Sequence, residues 1–194
     1  MRLDLSAVIG RDPRLVGDQP RDAAVLAPVI ERDDGHFLLF IKRSEDLGEH
    51  PGQMSFPGGG AEPADADLQA TALREADEEI GLEAEEARVI GRLDDIRTVT
   101  EYAVTPFVGT IVDREYTPDG VEASEIAVLS VAALTDPENY EYERRDHPTY
   151  GEVVVHYFHV DGYTVWGATG RILVDLLERT SEWRAPVRSE RDIA

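Results

Sequence analysis

The sequence predicts an α+β domain, an α/β/α sandwich around a mixed β-sheet. Short β-prone apolar runs are spread along most of the chain, and only two stretches keep helical spacing. The two kinds of segment do not alternate in the regular way that a doubly wound parallel sheet requires. In chain order, residues 1–21 are polar and proline-punctuated, and Leu5, Val8, Ile9 and Leu15 offer at most one short amphipathic helix as an N-terminal extension. Residues 24–30 and 37–41 read as a β-hairpin turning at Asp34-Gly35. Residues 44–60, rich in glycine and proline, form a loop too long to be a mere connector, the usual sign of a binding loop. A helix follows over 67–80, with Leu73, Ala76 and Ile80 as its buried stripe, and Gly81 ends it because glycine tolerates the left-handed position after a helix. Further strands are expected at 89–93, 104–112, 126–131 and 153–160. A second helix is expected at 169–178, where Ile172, Leu173, Leu176 and Leu177 keep helical spacing. The domain is thus expected to span 22–180, followed by a polar tail at 181–194.

Bulk composition excludes several classes of function. At 194 residues the chain fits one domain with extensions, and its apolar runs are too short for a membrane-spanning helix. The N-terminus lacks a sustained apolar stretch with a cleavage site, so a cytoplasmic location is expected. With no cysteine, disulfides, thiolate metal sites and a cysteine nucleophile are impossible. There are 40 acidic residues against 19 basic ones, a formal charge of -21, which disfavours nucleic acid as a partner. All the basic residues but Lys42 are arginine. This skew resembles the proteins of salt-loving microbes, whose surface repulsion is screened where the Debye length falls to about 3 Å near 1 M salt.

The informative segment is Arg74-Glu75-Ala76-Asp77-Glu78-Glu79-Ile80-Gly81-Leu82. On a helix, Glu75, Glu78 and Glu79 stand at i, i+3 and i+4, so their carboxylates are expected on one face opposite the Leu73/Ala76/Ile80 stripe. Like charges so placed repel. A hard divalent cation relieves that repulsion, since Mg²⁺ takes one or two carboxylates, keeps several waters and leaves room for substrate phosphates. In a chain this acidic, solvated surface gives the same pattern.

The accompanying residues separate the two readings. Pro57-Gly58-Gly59-Gly60 lies upstream, Arg74 is placed to pair with Glu78, and Gly81 caps the helix. Together these resemble the Nudix box, a glycine turn leading into a helix with Arg-Glu-(apolar)-x-Glu-Glu-x-Gly-(apolar). Counting from Gly60, the box expects glutamate where this chain has Ala66, so Asp65 or Asp67 stands in. Leu39-Phe40-Ile41-Lys42-Arg43-Ser44 followed by His50-Pro51-Gly52-Gln53-Met54-Ser55-Phe56-Pro57-Gly58-Gly59 is similar to the signature that the coenzyme A branch of the family carries ahead of its box. Ile41 replaces the usual threonine there, and Gly48 an arginine. With Val104–Gly109 and Trp166–Thr169, the resemblance covers most of residues 22–178.

The resemblance implies metal-dependent hydrolysis of a diphosphate in coenzyme A or a derivative, giving 4'-phosphopantetheine and adenosine 3',5'-bisphosphate. It leaves open ADP-ribose, dinucleotides or nucleoside triphosphates as substrates, and, in another class, a non-catalytic nucleotide-sensing module. Mg²⁺ or Mn²⁺ would be held chiefly by Glu75 and Glu79, with Glu78 as third ligand or base and the Gly59 or Gly60 carbonyl completing the shell. Arg74 would orient the glutamates. Glu125, with Glu122 close behind, is the candidate for a carboxylate from outside the helix. Arg43, Gln53, Ser55, Gly58 and Gly59 are the candidate substrate contacts. His50 lies in the signature loop, and His147, His156 and His159 form no ligand cluster by spacing. The expected partner is a small nucleotide-like diphosphate, with neither nucleic acid nor membrane, and a homodimer stays open.

Overall fold

The computed structural model describes residues 1–45, 51–98, 100–147 and 151–186. In chain order the elements are β1 (Arg21–Arg32), β2 (Gly35–Arg43), β3 (Met54–Ser55), β4 (Gly58–Gly60), α1 (Leu68–Ile80), β5 (Ala87–Arg92), β6 (Ile96–Arg97), β7 (Tyr102–Ile111), β8 (Ala123–Ser130), the single turn α2 (Val131–Leu134), β9 (Tyr140–His147), β10 (Gly151–Val160), β11 (Tyr163–Trp166) and α3 (Gly167–Thr180). The main sheet runs β3-β2-β1-β7-β5, with β4 added to β1, β6 to β7 and β8 to β2. Its β1–β7 pairing is parallel and the rest antiparallel, so the sheet is mixed as expected. A second antiparallel sheet, β11-β10-β9, packs with α3.

Period-two alternation divides the core. Along β1, Ala24, Leu26 and Ile30 join Leu39 and Ile41 of β2 and Ala72, Ala76 and Ile80 of α1 in one cluster. Ala23, Ala27 and Val29 face the other way, with Leu38 and Phe40, onto Phe158, Val165, Ile172, Leu173, Leu176 and Leu177. The main sheet therefore lies between α1 on one face and α3 with the second sheet on the other.

Several expectations are refined. The β1–β2 turn falls on Asp33 and Asp34, with Arg32 opposite Gly35. Gly35 is needed for another reason: a Cβ there would lie 2.7 Å from the Met1 carbonyl oxygen. The first 21 residues are laid against the domain. Leu3, Val8 and Val16 are buried, Leu3 N donates to His36 Nδ1 at 2.9 Å, and Asp4 N donates to the Thr180 carbonyl at 2.6 Å. Their helix is one 3-10 turn, Leu5–Val8, and Ile9 and Leu15 are exposed. The loop expected at 44–60 contributes β3 and β4. Past α3, Trp183 and Ala185 pack onto the core, so the ordered chain continues beyond residue 180. Among the described residues no helix is long and apolar enough to cross a membrane.

Candidate active site

The site is built on α1. Asp67 caps the helix, its Oδ1 accepting from Ala70 N at 2.8 Å, and Gly81 closes it at φ 65°. The buried stripe is Ala72, Ala76 and Ile80, while Leu73 is only half-buried. This corrects the expected division of the helix into an apolar face and an opposite acidic one. Glu75 and Glu79 precede Ala76 and Ile80 by one residue, a rotation of about 100°, and so adjoin the buried stripe. They are 9 % and 2 % exposed, whereas Glu78 points to solvent.

The glycine turn covers these two carboxylates. Gly58 N donates to Glu79 Oε2 at 2.9 Å, and Glu79 Oε1 is buried without a hydrogen-bond partner among the described residues. Gly59 lies directly under Glu75, where a Cβ would come within 2.5 Å of its carboxyl carbon. Burial is the main cause that raises both carboxyls above the ordinary 4.5, Glu79 to about 8. The Gly58 hydrogen bond and the Arg43 charge oppose the rise at Glu79, and the charges of Glu75 and Glu122 add to it.

Arg74 organises the rim. Its Nε donates to Asp65 Oδ1 at 3.0 Å and its Nη2 to Asp65 Oδ2 at 3.2 Å, a two-pronged pairing. Nη2 also donates to the Gly60 carbonyl at 3.0 Å, and Nη1 reaches Glu75 at 2.9 Å and Glu78 at 3.1 Å. Asp65 accepts further bonds from Thr71 Oγ1 and Glu62 N, and these partners, Arg74 first, hold its carboxyl well below the usual range. Of the two aspartates left open by Ala66, Asp65 is thus the one that holds the arginine, and Asp67 is the helix cap. On the reading of Glu75 as a metal ligand that the resemblance implies, Asp65→Asn should weaken Mg²⁺ binding by roughly 10- to 100-fold, as loss of a ligand-orienting partner does. Asp67→Asn, which keeps a good cap, should leave it unchanged. Equal affinities in a calorimetric titration of the two variants would show that Arg74 is held without Asp65.

Not every candidate joins this cluster. Glu78 is drawn out to Arg74, and among the described residues no three His, Cys, Asp or Glu side chains stand in an arrangement that could hold a metal ion. The donors that converge are Glu75 and Glu79, against Gly58 and Gly59. The Gly60 carbonyl is engaged by Arg74. Glu125 is not brought to the cluster: it lies two residues before Ala127, in the core on the far side of the sheet, and accepts from Tyr163 Oη. Glu122, in the loop before β8, is the outside carboxylate whose charge Glu75 and Glu79 both feel. Arg43 Nε and Ser55 Oγ are buried without partners among the described residues. Gln53 holds the β2–β3 connection, its carbonyl accepting from Arg43 N at 2.9 Å. His156 pairs with Tyr140 Oη at 2.6 Å, and burial lowers it to about 4; it lies away from the glutamates, on the second sheet. His159 contacts Thr164 and Glu141. Gly48 and His50 lie outside the described residues.

Comparison with known proteins agrees with this geometry. A family model described as NUDIX domain matches residues 20–157. A Citrobacter koseri protein named "Uncharacterized Nudix hydrolase NudL" is 39 % identical over 166 residues, covering 80 % of this chain and 81 % of its own. "Nudix hydrolase 22, chloroplastic" of Arabidopsis thaliana is 36 % identical over 165 residues, covering 80 % of this chain and 54 % of its own. The solved structure of a MutT/nudix family protein from Enterococcus faecalis shares the fold, with a TM-score of 0.56 at 14 % identity, covering 87 % of this chain and 64 % of that one. A glycine turn closed over two buried glutamates of one helix, in a chain matched across most of its length, makes this protein a pyrophosphohydrolase of the Nudix family.

Proposed function

We propose that the chain hydrolyses the diphosphate of coenzyme A or a derivative, with Mg²⁺ or Mn²⁺ held by Glu75 and Glu79. The observation that carries the metal part is Glu79 Oε1, a buried carboxylate oxygen that no donor among the described residues satisfies, beside a second buried carboxylate. An unpaired buried charge of this kind is costly, and oxygen ligands at a glycine turn suit a hard divalent cation. When bound, the cation supplies charge neutralisation at the diphosphate and a lowered pKa for the attacking water.

The protein's own groups do the rest. Gly58 N orients Glu79, and Arg74, fixed by Asp65, orients Glu75 and Glu78. We assign to Glu122 the role of the carboxylate outside the helix that accepts a proton from water, a reading supported by the reach of its charge to both buried glutamates. Arg43 Nε and Ser55 Oγ, both buried and without partners among the described residues, offer donors to the diphosphate or the adenosine part.

The coenzyme A reading rests on the similarity of residues 39–44 and 50–59 to that branch's signature. A substrate panel with Mg²⁺ and with Mn²⁺ tests it. Coenzyme A should be turned over with release of adenosine 3',5'-bisphosphate, at a kcat/KM at least tenfold above that for ADP-ribose, dinucleotides or nucleoside triphosphates. Turnover of those compounds with none of coenzyme A would replace the substrate while leaving the metal site in place.

A further inference from the structure

We propose that Lys42 forms a specificity subsite for a phosphomonoester of the substrate, on the face of the main sheet opposite the glutamate pair. The inference deepens the reading above and rests on it for the identity of the phosphate, the 3'-phosphate of the adenosine moiety.

Three observations converge on this residue. The chain carries 18 arginines and one lysine, so the ammonium at position 42 is an exception to a uniform preference. Lys42 is half-buried and sits in register with Glu125 of β8 and Met54 of β3. A lysine and a glutamate opposed on neighbouring strands normally pair. Here they do not: the Glu125 carboxylate accepts from Tyr163 Oη, and the Lys42 ammonium makes no ion pair or hydrogen bond among the described residues. Glu125 raises the Tyr163 pKa, so the phenol stays protonated as the donor. In a chain of net charge -21, an ammonium left unpaired beside an acid that is occupied elsewhere is a ready acceptor site for an external anion.

The position fits a distal group of the same substrate. Lys42 continues the face of Leu38 and Phe40, as Met54, Ala127 and Tyr163 do, whereas the next residue, Arg43, sends its charge to Glu79 on the opposite face. Ordinary strand alternation puts the two on opposite faces, and the register shift beside them is an extra residue, Ser124, in β8. Adjacent cations thus straddle the end of one strand, one towards the hydrolysed diphosphate and one towards the far side. A lysine suits the second task, being a compact point charge that binds phosphate without the two-pronged geometry of arginine.

The test measures binding of adenosine 3',5'-bisphosphate and 5'-AMP to the full chain by calorimetry, alongside hydrolysis of coenzyme A and 3'-dephospho-coenzyme A. The wild-type protein should bind the bisphosphate at least tenfold more tightly. Lys42→Met should reduce that preference to under twofold with AMP affinity unchanged, and should raise KM for coenzyme A, but not for the dephospho form, at constant kcat. Lys42→Arg should keep part of the preference, and it gives the reading if Lys42→Met does not fold. Equal binding of the two ligands by wild-type protein, or an undiminished preference in Lys42→Met, overturns the subsite whatever the hydrolysis assay gives. A Lys42-dependent preference in a protein that does not hydrolyse coenzyme A upholds the subsite and removes the substrate assignment.

Discussion

Replacing Glu79 with glutamine is expected to lower kcat by about 10³-fold or more, since loss of a metal-holding carboxylate forfeits several kcal/mol of transition-state stabilisation. The same variant should be more stable than the wild type when both are stripped of metal. Glu79 sits 2 % exposed with one oxygen unpartnered among the described residues, and its carboxyl is raised from 4.5 to about 8. The folded state therefore holds this proton more tightly than the unfolded chain does. The contribution of Glu79 to the stability of the metal-depleted protein is fully present below pH 4.5 and is lost as pH climbs towards 8, by on the order of a few kcal/mol. Glutamine cannot ionise, so Glu79→Gln should flatten that slope. A cation reverses it in the wild type: uptake below pH 8 expels the proton, and affinity should rise with pH up to that point. Thermal melts across pH 5 to 9 with and without Mg²⁺ check all three outcomes. A variant that keeps its turnover would move the metal away from Glu79, and an unchanged slope would assign the titration to another group.

Stability should also rise steeply with salt. With 40 acidic residues against 19 basic, self-repulsion opposes the compact state in dilute buffer, and molar KCl screens it. The expected gain between 0.1 and 2 M KCl is several kcal/mol, which for a chain this size is roughly 10 °C or more in Tm. Neutralising four exposed acids, Asp34, Asp77, Glu85 and Glu115, should shrink the gain. Scanning calorimetry on both proteins decides the point. Equal salt gains in the two would assign the effect to general salting-out of apolar surface rather than to charge.

Much of this architecture is legible from residue order. Helix α1 falls within a residue of its expected bounds because Asp67 and Gly81 carry strong capping chemistry. The hairpin and the central strands follow from clean alternation. By contrast, β9 reads Tyr-Glu-Tyr-Glu-Arg-Arg-Asp-His, an edge strand so charged that its sequence resembles a loop. The burial of Glu75 and Glu79 is invisible locally, because three glutamates in an acidic chain look alike until the β4 turn is folded over two of them. The placement of Glu125 turns on a single step of strand alternation, and only the pairing of β8 with β2 fixes which face it takes. Asp65 and Asp67 are equivalent by composition. The reach of Arg74 separates them.

The parallel pairing of β1 with β7 runs from Arg21–Tyr102 to Val29–Thr110 and encloses α1 in the intervening segment. Closing so long a segment must precede any reward from the contacts it creates, and pairings between such distant residues slow folding. On the ribosome, the strand that completes the scaffold emerges only after the glutamate helix has been synthesised. A chain stalled before residue 111 would therefore carry the acidic helix and its glycine turn without the central strand that joins β1 to β5 and β6.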